Sequence, residues 1–119
     1  MLDVCSVNPI DYESVINSVI KTKRLLIADH ADPVCSVASE IISCVSEIMG
    51  KDLLANPQKI CLPNHPAPTS HKLSADYYPE AADIAIKAGE MLGIDVSRKI
   101  SDDATLPKDQ PNKEFRGPF

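Results

Sequence analysis

The densest run of chemically capable side chains is Asp29-His30-Ala31-Asp32-Pro33-Val34-Cys35, with two carboxylates, an imidazole and a thiol close together. It follows Leu25-Leu-Ile-Ala28, a continuous apolar run of the kind that forms a strand buried on both faces of a parallel sheet. Open α/β sheets bind ligands at such a place, outside the C-terminal ends of their strands. Free amides of a following helix would attract an anion there. Asp32, however, is expected to cap that helix and occupy the amides, and two carboxylates repel a phosphate. Asp29, His30 and Asp32 are therefore candidate ligand or interface residues, set against a plainer reading as a structural cap and a solvated loop. Cys35 is expected in the first helical turn, where a thiolate is stabilised and His30 is near, as for a nucleophile beside its base. No third, orienting residue can be named, and a packed thiol is the competing reading. His30, His65 and His71 with Asp29 or Asp76 offer metal-ligand types, but no two share a helix at i, i+3 or i+4 spacing. No catalytic, cofactor-binding or metal residue is assigned.

A second feature needs positioning rather than chemistry. Leu62-Pro-Asn-His-Pro-Ala-Pro-Thr-Ser70 contains Pro63, Pro66 and Pro68 and no glycine. Each proline fixes φ, removes an amide donor and pushes the preceding residue toward extended conformations. The run is read as a polyproline-like strap anchored by Tyr77 and Tyr78, crossing a surface or an interface. Pro63, Pro66, Pro68, Tyr77 and Tyr78 complete the set of interface candidates.

The elements that would hold these groups follow from pattern. Met1 to Val7 is short and apolar-rich and stops at Asn8-Pro9, the profile of a strand. Asp11 is placed to cap a helix over about 12–22, with Ile10 stapling against Val15 and with Val15, Ile16, Val19 and Ile20 as its apolar stripe. Asp32-Pro33 is the expected start of the next helix, whose stripe is Val34, Val37, Ala38, Ile41, Val45 and Ile48, with Gly50 as its cap. Lys59-Ile-Cys-Leu62 is a short strand, and Pro79 opens a last helix ending at Gly93. This order implies an α/β fold: a three-layer, open, mostly parallel sheet of three strands with helices on both faces. One domain over 1–93 is expected, followed by a polar, proline-containing tail over 94–119, frayed or docked through Phe115 and Phe119.

The 119 residues carry 12 Lys and Arg against 17 Asp and Glu, a net charge of −5. That balance argues against nucleic acid or an anionic membrane as partner. Lys21, Lys23 and Arg24, the one basic cluster, flank a helix end where cations favour the dipole. No apolar run approaches the ~20 residues of a membrane span, and no basic-then-apolar leader opens the chain. Cys5, Cys35, Cys44 and Cys61 lack paired ligand spacing and are expected as buried free thiols in a reducing compartment. A soluble protein of the cytoplasm, or of the mitochondrial matrix in a eukaryote, is the expectation.

Together the segments Leu2-Asp3-Val4, Asn8-Pro9-Ile10-Asp11, Val15 to Val19, Lys21 to Asp29, Ala38-Ser39-Glu40-Ile41, Pro66-Ala67-Pro68-Thr69 and Tyr77-Tyr78-Pro79 carry a resemblance. In this order they resemble the C-terminal domain of transketolase-like, thiamine-diphosphate-dependent enzymes, nearest the beta subunit of the 2-oxoacid dehydrogenases. The resemblance runs from Leu2 to Leu92. It implies a domain that begins upstream of Leu2 with a further strand and helix, and a parent reaction of oxidative decarboxylation with acyl transfer to lipoamide. It also implies thiamine diphosphate and magnesium in the parent enzyme, with neither bound by this chain alone. The implied partners are the remaining domains or subunits, in a homo- or hetero-oligomer, and the acyltransferase core. Where such subunits carry a glycine-rich turn before the Ala-x-Glu-Ile helix, this chain has Asp32-Pro33-Val34-Cys35-Ser36-Val37. The expected role is thus non-catalytic assembly. The alternative is a stand-alone α/β regulatory or ligand-binding module using the turn from Asp29 to Ser36. An enzyme using Cys35 ranks behind both.

Overall fold

The computed structural model describes residues 1–74 and 77–96. Its elements are α1 (Tyr12–Thr22), β1 (Leu26–Ala28), α2 (Val37–Met49), a 3-10 turn (Gly50–Asp52), β2 (Gln58–Ile60), α3 (His71–Ser74) and α4 (Ala81–Leu92). They divide between two compact units, one over Met1–Asn64 and one beginning at His65.

In the first unit β1 and β2 pair in parallel, with Leu26 opposite Gln58, Ile27 opposite Lys59 and Ala28 opposite Ile60. Bonds from the Gln58 amide to the Leu25 carbonyl and from the Asp29 amide to the Ile60 carbonyl, both 2.9 Å, extend the ladder at each end. Side chains alternate along a strand. Leu25 and Ile27 fall on one face and pack against a cluster of Val15, Val19, Ile41, Val45 and Met49 supplied by α1 and α2. The α/β class and the parallel pairing are as expected. The third strand is not: Met1 to Val7 is irregular, with Val4 packed on the cluster and Val7 63% exposed. A strand is made by a neighbour's hydrogen bonds, and composition cannot provide the neighbour.

α1 forms over the expected residues with Val15 and Val19 buried, but Ile20, expected in its stripe, is 47% exposed. The Asp11 carboxylate accepts from the Ser14 amide at 3.0 Å and from its hydroxyl at 2.5 Å, while Ile10 joins the cluster that contains Val15. The Ser14 hydroxyl first, then its amide, holds the Asp11 carboxyl below the ordinary carboxylate range. A carboxyl lowered on folding contributes stability above its unfolded pKa, and loses it as pH falls through the folded value. The stability gap between wild type and Asp11→Asn should therefore narrow as urea melts are taken progressively into acid. A gap independent of pH would show that the carboxylate charge is not what the cap uses. At the other end Lys23 takes a left-handed conformation, φ 55°, and its amide donates to the Val19 carbonyl at 2.7 Å.

α2 departs from expectation at its start and at the two outermost positions of its stripe, while Gly50 caps it as expected. It begins at Val37, capped by Ser36, so Asp32-Pro33 lies outside it. Ala38, Ile41, Val45 and Met49 form its buried stripe. Val34 and Ile48 are 62% and 61% exposed. After Val45 the steps i+3 and i+4 are both compatible with one stripe, and packing selects Met49. Gly50 stands at the C-cap but stays right-handed, φ −51°, and the chain tightens into the 3-10 turn.

In the second unit the strap leads into α3, an element that the pattern did not signal, and then into α4. Tyr77 is buried, and its hydroxyl donates to the His65 carbonyl at 2.9 Å. The His65 and Tyr77 rings lie 5.2 Å apart, and Tyr78 meets Tyr77 edge-on at 4.9 Å. α4 starts two residues beyond Pro79, where the Glu80 amide donates to Asp83 Oδ2 at 2.7 Å, and it stops at Gly93 in the left-handed region, φ 69°. Gly89 lies on its buried side, where a Cβ would come within 2.7 Å of the Ile94 carbonyl oxygen. Phe115 and Phe119 lie outside the described residues, as do the proline-containing tail beyond Val96 and Asp76.

Candidate functional site

The turn from Asp29 to Ser36 joins β1 to α2, and two side chains close the start of that helix. Ser36, itself buried, accepts from the Ser39 amide at 3.2 Å, and Asp29 Oδ2 accepts from the Ala38 amide at 3.0 Å. The helix amides that could have faced a ligand thus serve the chain's own serine and carboxylate. Asp29 reaches them because it continues the alternation Leu25, Ile27, Asp29 on the face turned toward α2. Asp32, expected as the cap, is exposed and is not the N-cap. Ser36 is as good a cap residue as aspartate, and a start at Ser36 leaves the turn long enough for Asp29 to double back.

Lys59 completes the arrangement. Paired in register with Ile27, it shares that face, and its ammonium donates to the Ser39 hydroxyl at 2.5 Å and to the Pro33 carbonyl. Ser39 Oγ also donates to the Pro33 carbonyl at 3.0 Å and lies 3.1 Å from Ser36 Oγ. A polar mesh thus ties β2 to the turn. The sequence pattern marks Lys59 only as a strand residue. The available signal was the serine pair at i, i+3, Ser36 and Ser39, together with a lysine inside a short apolar strand.

Cys35 is neither packed nor in the helix. It is exposed and precedes the cap, and its backbone is left-handed, φ 54°. Non-glycine residues are strained there. This is the segment where the resemblance places glycines, so Cys35→Gly should stabilise the chain by roughly 0.5–1 kcal/mol, the relieved αL strain less the added chain entropy. Thermal melts of the two proteins check this, and a lower melting temperature for the variant would refute it. Cys5 is also exposed, and Cys44 and Cys61 are half-buried, so the expectation of four buried thiols fails. The short apolar segments around them border the core without being enclosed by it.

A smaller polar group bridges the two helices. The Tyr12 hydroxyl donates to Glu40 Oε1 at 3.2 Å. Partial burial, then the nearby Glu40 carboxylate, pushes its phenol pKa up. Of the strap candidates, Pro63 and Pro68 are half-buried, Pro66 is exposed, and Tyr78 is half-buried beside Tyr77. His30 and His65 are both exposed. Among the described residues no three His, Cys, Asp or Glu side chains gather as a metal site. Among them, no helix is long and apolar enough to cross a membrane.

The first unit thus presents a parallel ladder behind a capped βα turn, with two helices packed on one face. The family model described as the transketolase C-terminal domain matches residues 1–84. The chain belongs to this family. Among curated members, the beta subunit of the acetoin:2,6-dichlorophenolindophenol oxidoreductase of Bacillus subtilis is 38% identical over 94 residues, covering 78% of this chain and 27% of the relative. The corresponding subunit of Cupriavidus necator is 35% identical over 88 residues, covering 74% and 26%. The beta subunit of the pyruvate dehydrogenase E1 component of Leifsonia xyli is 37% identical over 81 residues, covering 68% and 24%. This transketolase C-terminal domain chain therefore spans about a quarter of the length of these relatives. Relatives include bacterial forms and a mitochondrial pyruvate dehydrogenase E1 beta subunit of Chaetomium thermophilum.

Proposed function

We propose that this chain acts as a non-catalytic assembly domain of a beta-type subunit of a thiamine-diphosphate-dependent 2-oxoacid dehydrogenase. The parent reaction would be oxidative decarboxylation of a 2-oxoacid with acyl transfer to lipoamide. One observation carries the reading. Parallel sheets are normally covered on both faces, yet no residue of β1 or β2 is fully buried, and the ladder among the described residues has only two strands. Such a ladder is far from self-sufficient. This supports a domain that gains its cover from a partner, in a family whose relatives are subunits about three times as long.

Thiamine diphosphate does not fit the residues present. At the strand ends, where a diphosphate would seek helix amides, Asp29 and Ser36 already hold the Ala38 and Ser39 amides. A carboxylate in that position repels an anion. The cofactor and its magnesium would accordingly be held by other parts of the parent enzyme, and no chemical step is assigned to this chain. Its partners would be the remaining domains or subunits of the dehydrogenase and the acyltransferase core, met through the strap residues Pro63, Pro66, Pro68, Tyr77 and Tyr78 and the turn residues Asp29, His30 and Asp32.

The test is reconstitution. The chain, mixed at micromolar concentration with the remaining catalytic portions of a beta-type subunit and its alpha-type partner, should co-elute as a defined complex in size-exclusion chromatography with light scattering. Separate elution, with the chain a stable monomer, would overturn the proposal. Saturable stabilisation by a small molecule in place of association would instead support the stand-alone ligand-binding module.

A further inference from the structure

No further inference is drawn: the strongest candidate, the open hollow of about 360 Å³ lined by Ser46, Gly50, Leu53, Leu54, Asn56 and Pro57 beyond the end of α2, carries nothing because no feature of the structure shows what covers it.

Discussion

Ile41→Ala should lower the unfolding free energy by about 3 kcal/mol, the middle of the range for deleting a large aliphatic side chain from a core. Ile41 is 2% exposed and lies in the cluster where α1, α2 and the sheet converge. Among the described residues that cluster has five buried members, with Val4, Ile10, Ile16, Leu25, Ile27, Val37 and Leu53 packed partly against it. A small core has little capacity to close around a vacated volume, because its outer residues are already in contact with water. At about 4–8 °C per kcal/mol for a unit of this size, the melting temperature should fall by roughly 12–24 °C. Ile48→Ala is the matched control, since Ile48 lies on the same helix but is 61% exposed, and its removal should change stability by no more than about 0.5 kcal/mol. Urea unfolding of the three proteins measures both effects. Equal losses at the two positions would mean that the α2 stripe is assigned to the wrong face.

What could be read from sequence separates cleanly into interactions that are local and interactions that are not. α1 was legible because all its determinants lie within a dozen residues: Ile10 and Asp11 before it, Ser14 to receive the cap, and a stripe through Val15 and Val19. Gly93 was legible for the same reason, since a left-handed stop after Leu92 depends on one residue type. The start of α2 was not, because Asp32-Pro33 and Ser36 are both acceptable starts, and the choice depends on Asp29 and Lys59 reaching the turn from two strands. The segment from Met1 to Val7 has strand composition and no strand, since pairing is a property of the neighbour. Asp29 and His30 were correctly placed in the turn that follows β1, but the role of Asp29 there, a cap on the Ala38 amide, was visible only once the alternation Leu25, Ile27, Asp29 was fixed by pairing. In the strap, the prolines predict the absence of helix and strand over 62–70, whereas the bond from Tyr77 to the His65 carbonyl depends on where the chain returns.

Asp29→Ala and Lys59→Met should each destabilise the first unit by about 1–2 kcal/mol, because each removes charge-assisted hydrogen bonding that fixes the turn. Losing the Asp29 carboxylate leaves the Ala38 amide without its side-chain acceptor in the first turn of α2. Losing the Lys59 ammonium leaves the Pro33 carbonyl with the Ser39 hydroxyl alone and cuts the side-chain link from β2 to the turn. The two groups share no bond, yet both fix the same turn, Asp29 at its start and Lys59 through Pro33. If the turn is held as a unit, the first substitution loosens what the second would have disturbed. The double variant should then lose about 0.5–1 kcal/mol less than the sum of the single losses. Asp29→Asn separates acceptor from charge. Its side-chain oxygen can still receive the Ala38 amide, so it should recover most of the loss, short of the few tenths of a kcal/mol that a negative charge adds near a helix N-terminus. Denaturant melts of the four variants beside wild type give all the terms. Strict additivity would mean that cap and mesh act independently. An asparagine variant as unstable as the alanine one would mean that Asp29 acts through its charge rather than as the acceptor for α2.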